Sequence, residues 1–420
     1  MKSELKLLLG RTAVLLLQTL FCLPLSAQTV KGWQPSKETV ERLSKSRPEF
    51  NYYEEKVPSY ILPAVLTSDN GKIINTKNDW MKIRRPELLE LFRTNIYGRV
   101  PSTPYKMDFK LINEDAKALN GTAKLKQVDI TITSGEKSLV IHLILFVPNN
   151  VAKPVPAFLL INLGSKNIDP MRLEKGESWP AEEIVARGYA AAVFNNADVD
   201  PDNFDEFRNG IHGVLDKNTR PDDAWGTLAA WAWGASRCMD YLVSDKDIAK
   251  DKVAVIGHSR GGKTALWTGA EDERFALVVG NESGAGGAAL ARRRFGETVA
   301  RLNTAFPHWF CANYRKYSDK ENTLPVDTHE LLALIAPRAL YIDAASDDLW
   351  GDPKGCYLAL RNSLPVFRLF GIKSELPEAV PQLNKQVISG KVAFHIRDGE
   401  HNLKLQDWNL IMDFADRILK

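Results

Sequence analysis

The chain has 420 residues, 25% of them charged and 44% hydrophobic, with a formal net charge of +3. That composition excludes a disordered chain, which could not bury enough apolar surface to fold. The near balance of charge excludes a protein that tracks nucleic-acid phosphates, because that role needs a dense basic face.

Residues 1–27 read as a secretory signal: Lys2, Lys6 and Arg11 give a basic start, an apolar run covers 12–25, and the small Ser26 and Ala27 precede Gln28. Cleavage after Ala27 removes those three cations and one anion, Glu4, so the charge falls from +3 to +1. Gln18 and Pro24 interrupt the run and disfavour a membrane anchor, no other segment is long and apolar enough to span a bilayer, and the bulky Phe21 argues against lipid attachment at Cys22. Periplasmic or secreted localisation is expected. Residues 28–58, polar and proline-punctuated, are expected to be an irregular N-terminal segment, and 59–420 a single catalytic domain. Cys238, Cys311 and Cys356 remain, and so large a core requires no pairing among them.

From Lys126 onward, short apolar runs alternate with helical stretches, the pattern of a mostly parallel sheet with helices on both faces. Strands are expected at 128–133, 139–147, 157–163 and 190–194. Four later ones, at 253–256, 276–279, 339–342 and 392–396, are followed by Ser259, Glu282, Asp348 and His401. Active sites of open α/β sheets gather at the carboxyl ends of strands, so these four side chains form a coherent set. Long stretches at 195–223 and 283–328 are expected to overhang that edge.

Gly257-His258-Ser259-Arg260-Gly261 matches the G-x-S-x-G elbow and lies between an apolar strand and the helical stretch G-K-T-A-L-W, the context the motif requires. The implied fold is α/β-hydrolase, a three-layer sandwich with a central mostly parallel sheet and long loops over the active site. A serine hydroxyl is a poor nucleophile until an imidazole takes its proton. His401, in D-G-E-H-N after a late strand and before the last helix, fits that role. His395 lies within the strand and reads as a core residue, while His142, His212, His258, His308 and His329 precede the expected position. His258 touches the elbow but is expected to point away.

Asp348 and Glu282 are both candidates for the acid that orients the imidazole. Asp348 lies in the turn-rich D-D-L-W-G-D-P, so the alternative is a capping residue; for Glu282 it is a structural carboxylate of the glycine-rich loop. Arg260 offers its backbone N–H to an oxyanion. Lys263, one helical turn after Ser259, could reach a substrate group, and cations are unfavourable at a helix start unless they serve something else.

These residues resemble the glucuronoyl esterases, carbohydrate esterase family fifteen, particularly the bacterial branch. The likeness runs from Trp80 to the C-terminus through R-R-P-E-L-L-E-L-F-R-T-N-I-Y-G-R, R-P-D-D-A-W-G-T-L-A-A-W-A-W-G, G-H-S-R-G-G-K-T-A-L-W, G-N-E-S-G-A-G-G, R-R-R-F-G-E-T-V, F-P-H-W-F, D-D-L-W-G-D-P and G-E-H. The resemblance implies hydrolysis of esters on the carboxyl of 4-O-methylglucuronic acid, as in lignin–glucuronoxylan linkages, with no metal or organic cofactor. It matches Ser259, His401 and Glu282 to the family's triad, Asp348 to a second acid position, Arg260 to the oxyanion arginine, and Lys263, Glu297 and Trp350 to positions that hold the sugar. His258 stands where the fungal branch carries a disulfide-bonded cysteine. Shared duty between Glu282 and Asp348 is expected, acting on a uronate ester or glucuronoxylan substrate, in a monomer, with no nucleic acid and no membrane span. An exported xylan acetyl esterase on the same fold is the alternative.

Overall fold

The alternating residues of 123–148 form an antiparallel hairpin, β2 (Ala123–Ser134) and β3 (Lys137–Pro148), whose buried positions recur at every second residue of β2. The more continuous apolar runs that follow become strands buried on both faces: β4 (Val155–Asn162), β5 (Ala190–Asn195), β6 (Ile248–His258), β7 (Leu277–Asn281), β8 (Ala339–Ala345) and β10 (Val392–Arg397). With β1 (Lys106–Ala118) and β9 (Val387–Ser389) they make one ten-stranded sheet, in the order β1-β2-β3-β5-β4-β6-β7-β8-β10-β9. Neighbours from β5 through β10 run parallel, and both edges are antiparallel. This computed structural model describes residues 32–164, 168–172, 176–217 and 219–420, so the expected signal sequence and Cys22 lie outside the described residues.

Helices cover both faces. On one lie α3 (Thr227–Ser244), α4 (Arg260–Glu271) and α5 (Pro353–Leu369), which bury Trp231, Leu266 and Tyr357 against Val255, Val278 and Leu340. On the other, α2 (Ala181–Ala186) and α6 (Leu405–Leu419) bury Ile184, Trp408 and Ile411 against Phe158, Ile256 and Tyr341. Each fully buried aliphatic side chain contributes about 1.5–3 kcal/mol, so the two cores pin the sheet that carries the reactive residues. Three layers result, as the sequence implied.

Two strands were not legible. β1 (K-M-D-F-K-L-I-N-E-D-A-K-A) is an edge strand, exposed along nearly its whole length and paired with β2; only Met107, Phe109 and Leu111 alternate with polar residues, and the charged second half hides the strand. β9 is only three residues long.

The stretch expected to be irregular contains α1 (Lys37–Ser46), capped by the Ser36 side chain accepting from Thr39 N–H, with Glu38 in the first turn and Lys45 in the last. Gly32–Lys420 forms one compact unit. Cys238, Cys311 and Cys356 are buried free thiols. Among the described residues, no helix is long and apolar enough to cross a membrane.

Candidate active site

Strand β6 ends on His258 and α4 begins on Arg260, leaving Ser259 in the turn. Its backbone has φ 56° and ψ −124°. A positive φ costs a non-glycine residue about 1–3 kcal/mol and persists only where the surroundings enforce it. Here Ser259 N–H donates to Asn281 O at 2.9 Å. The flanking glycine is required by crowding, since a Cβ on Gly257 would stand 2.1 Å from Gly261 O. The serine therefore sits beside the first-turn N–H groups of α4, Arg260 first, which have no partner within the helix.

His401 occupies the loop between β10 and α6. Its Nδ1 lies 2.8 Å from Asp348 Oδ2 and 2.9 Å from Glu282 Oε2, and its side chain is 39% exposed. One imidazole nitrogen thus meets both candidate acids. Glu282, after β7, is fully buried, with Oε1 accepting from Arg397 Nη2 at 2.8 Å and Oε2 from Asn402 N–H at 2.9 Å. Asp348, after β8, accepts from Gly351 N–H on Oδ1 at 3.3 Å and faces His401 with Oδ2. The capping reading and the imidazole contact are both realised, on different oxygens.

Burial opposes charge on His401, but the hydrogen bonds and charges of Asp348 and Glu282 outweigh it and push it up to about 10. Burial pushes Glu282 up to about 6, against the pull of His401 and Arg397. Both carboxylates therefore stabilise the imidazolium that forms when the neutral ring takes a proton.

Lys263 is buried, and its ammonium donates to Ser283 O at 2.8 Å, Ala285 O at 2.6 Å and Glu297 Oε2 at 3.2 Å. Those acceptors use its three donors, so the dipole conflict at the helix start is answered inside the protein. Glu297 N–H donates to Trp350 O at 3.0 Å, so the three expected sugar-holding residues are neighbours. The Trp350 ring carries the Arg47 guanidinium 4.4 Å from its centroid and the Phe50 ring edge-on at 4.7 Å. Both covering residues come from the N-terminal segment.

Two residues were missed by sequence reasoning. Arg397, at the end of β10, binds Glu282 and also donates from Nε to Asp407 at 3.0 Å and from Nη2 to Glu400 O at 2.7 Å, so it shapes the His401 loop. A buried arginine closing the apolar run V-A-F-H-I-R was the available signal. Asp202 pairs with Arg260 Nε at 2.6 Å, while its other oxygen accepts from Trp309 Nε1 at 2.8 Å and meets His308 Nε2 at 3.0 Å. The two overhanging stretches, which carry short helices such as Gly210–Leu215 and Val299–Ala305, thus converge on Arg260. No local motif announces that contact.

His258 departs from expectation. Its ring packs 4.4 Å from that of His401, because Asn281 Oδ1 holds its Nδ1 at 2.6 Å on the site's side of the sheet. His395 is a core residue between Tyr341 and Asp407.

Residues 130–371 match the family described as "Glucuronyl esterase, fungi". The carbohydrate esterase MZ0003, from an unknown prokaryotic organism, is 40% identical over 87% of this chain and 91% of its own length. The chain belongs to the glucuronyl esterase family. The 4-O-methyl-glucuronoyl methylesterase of Podospora anserina is 31% identical over 68% of this chain and 55% of its own. Among solved structures, the glucuronoyl esterase from Solibacter usitatus is 38% identical, with a TM-score of 0.81 over 87% of this chain and 100% of that one. The α/β-hydrolase fold expected of a glucuronyl esterase is therefore the fold of this chain.

Proposed function

We propose that this protein is a glucuronoyl esterase in which Ser259 attacks the carboxyl carbon of a 4-O-methylglucuronate ester. His401 accepts the Ser259 proton and returns it to the departing alcohol. Arg260 N–H stabilises the oxyanion of the tetrahedral intermediate, and a water deprotonated by His401 then cleaves the glucuronoyl–serine ester, freeing the uronate. Glu282 and Asp348 share the task of orienting and stabilising the imidazolium, while Lys263, Glu297 and Trp350 form the wall that receives the sugar. The single observation that carries the reading is His401 Nδ1 held at 2.8 and 2.9 Å by the two acids, on the loops that follow the strand beside the Ser259 elbow and its neighbours.

Residues 59–420 carry the catalytic machinery in this reading, with Arg47 and Phe50 of the preceding segment flanking Trp350. Residues 1–27 direct export, and a mature N-terminus at Gln28, read by mass spectrometry from the native host, tests that point. Activity is tested by initial rates on a benzyl ester of glucuronic acid beside an acetylated xylan oligomer, with Ser259→Ala as control. Serine-dependent benzyl alcohol with little acetate is expected; acetate with little benzyl alcohol would move the function to an acetyl esterase.

A further inference from the structure

The reaction above makes no use of His258, yet its tautomer is fixed by a chain of hydrogen bonds. Asn281 Nδ2 donates to Asp343 Oδ1 at 2.6 Å. That turns the amide so that its Oδ1 faces His258 Nδ1 at 2.6 Å. Nδ1 must then carry the hydrogen, and Nε2 keeps its lone pair. An imidazole anchored through its other nitrogen on a carboxylate-backed partner is the arrangement that second-shell groups impose on metal-binding histidines.

His258, Glu282 and His401 each present one donor atom, and the three atoms lie within 4.8 Å of one another. Zinc bonded at about 2.0–2.1 Å holds tetrahedral ligands about 3.3 Å apart, so a contraction of at most about 1.5 Å closes the site. Glu282 is already aimed by Arg397 and Asn402 N–H, and the exposed His401 ring gives an ion access from solvent. Two imidazoles with one carboxylate suit zinc and disfavour magnesium and calcium, which demand oxygen.

We propose that His258, Glu282 and His401 form a divalent transition-metal site, with water completing the shell, at which zinc reversibly inhibits the enzyme. The metal draws His401 and Glu282 onto itself and removes the imidazole lone pair that must receive the Ser259 proton. Only the inhibitory consequence rests on the proposed roles of Ser259 and His401; the binding does not.

Zinc chloride is titrated into the full chain with the benzyl ester as substrate, and separately into Ser259→Ala by calorimetry, which needs no turnover. One zinc per chain, inhibition reversed by EDTA and no inhibition by magnesium are expected. His258→Gln should weaken zinc at least tenfold in both measurements, each rate scored against that variant's own metal-free rate. Cobalt in Ser259→Ala should give the intense visible bands of a four- or five-coordinate site. Absence of zinc binding to Ser259→Ala, inhibition indifferent to His258→Gln, or a weak octahedral cobalt spectrum would each overturn the proposal.

Discussion

The loops that follow β7 and β8 each bring one carboxylate to the same imidazole nitrogen, yet the two are built differently. After β7, Glu282 is fully buried, in a positive-φ backbone (44°), neutralised by Arg397 and backed by the buried Asp343, whose own carboxyl is pushed well up by burial and by the charges of Asp407 and Glu282. After β8, Asp348 is 8% exposed, pairs among the described residues with His401 and no lysine or arginine, and divides its oxygens between a turn and the ring. The Glu282 loop holds the imidazole in place, whereas the Asp348 loop contributes most of the unneutralised charge. A single triad acid combines those tasks; here they are spread over two strand ends.

Ser259→Ala sets the floor for testing that division, with an expected loss of roughly four orders of magnitude or more in kcat, measured on the benzyl ester with the melting curve unchanged. Arg397→Leu strikes the β7 side together with the His401 loop that Arg397 shapes, and leaves Asp348 in place. It strands the buried carboxylates of Glu282 and Asp407 and should cost about 3–5 kcal/mol of stability by denaturant unfolding, whereas Asp348→Ala should cost far less.

Asp348→Asn and Glu282→Gln separate the two acids by pH. Both carboxylates raise His401, and the base must be neutral to act, so activity is lost as pH falls through the His401 value. Removing one carboxylate lowers that value, and the acid limb of kcat/KM should move to lower pH by about one to three pH units. The larger shift is expected for Asp348→Asn and the larger fall in kcat for Glu282→Gln. Complete loss in one with no effect in the other would refute the sharing.

Asp202→Asn leaves both acids intact and loosens Arg260 along with the His308 and Trp309 contacts; it should lower kcat by roughly tenfold to a hundredfold with little change in KM, and Asp202→Glu should restore part of it. The smallest effect is expected from Arg47→Ala. Removing a cation worth about 0.5–1 kcal/mol to the Trp350 face should change KM by only about two- to fivefold, leaving kcat in place.

The sequence made the parallel half of the sheet legible because its strands are apolar on both faces and the last four of them are followed by a residue able to do chemistry. The same logic located Ser259, Glu282, Asp348 and His401, which the fold gathers at neighbouring strand ends. It failed for β1, whose short apolar stripe of Met107, Phe109 and Leu111 gives way to a charged, exposed second half held by pairing with β2, and for α1, whose polar sequence is capped by Ser36. It also failed for Asp202 and Arg397, because a salt bridge across loops leaves no local periodicity. His258 was misjudged for a related reason: its direction is set by Asn281, a residue of the neighbouring strand.

The turn at Ser259 also limits which nucleophiles evolution can place there. At φ 56° a β-branched side chain is a genuine steric outlier, so threonine is barred from position 259 although its hydroxyl could do the same chemistry. Serine, cysteine and aspartate, which carry no branch at Cβ, pass. The elbow is thus a stereochemical filter that screens a nucleophile by the shape of its Cβ before its reactivity is put to use.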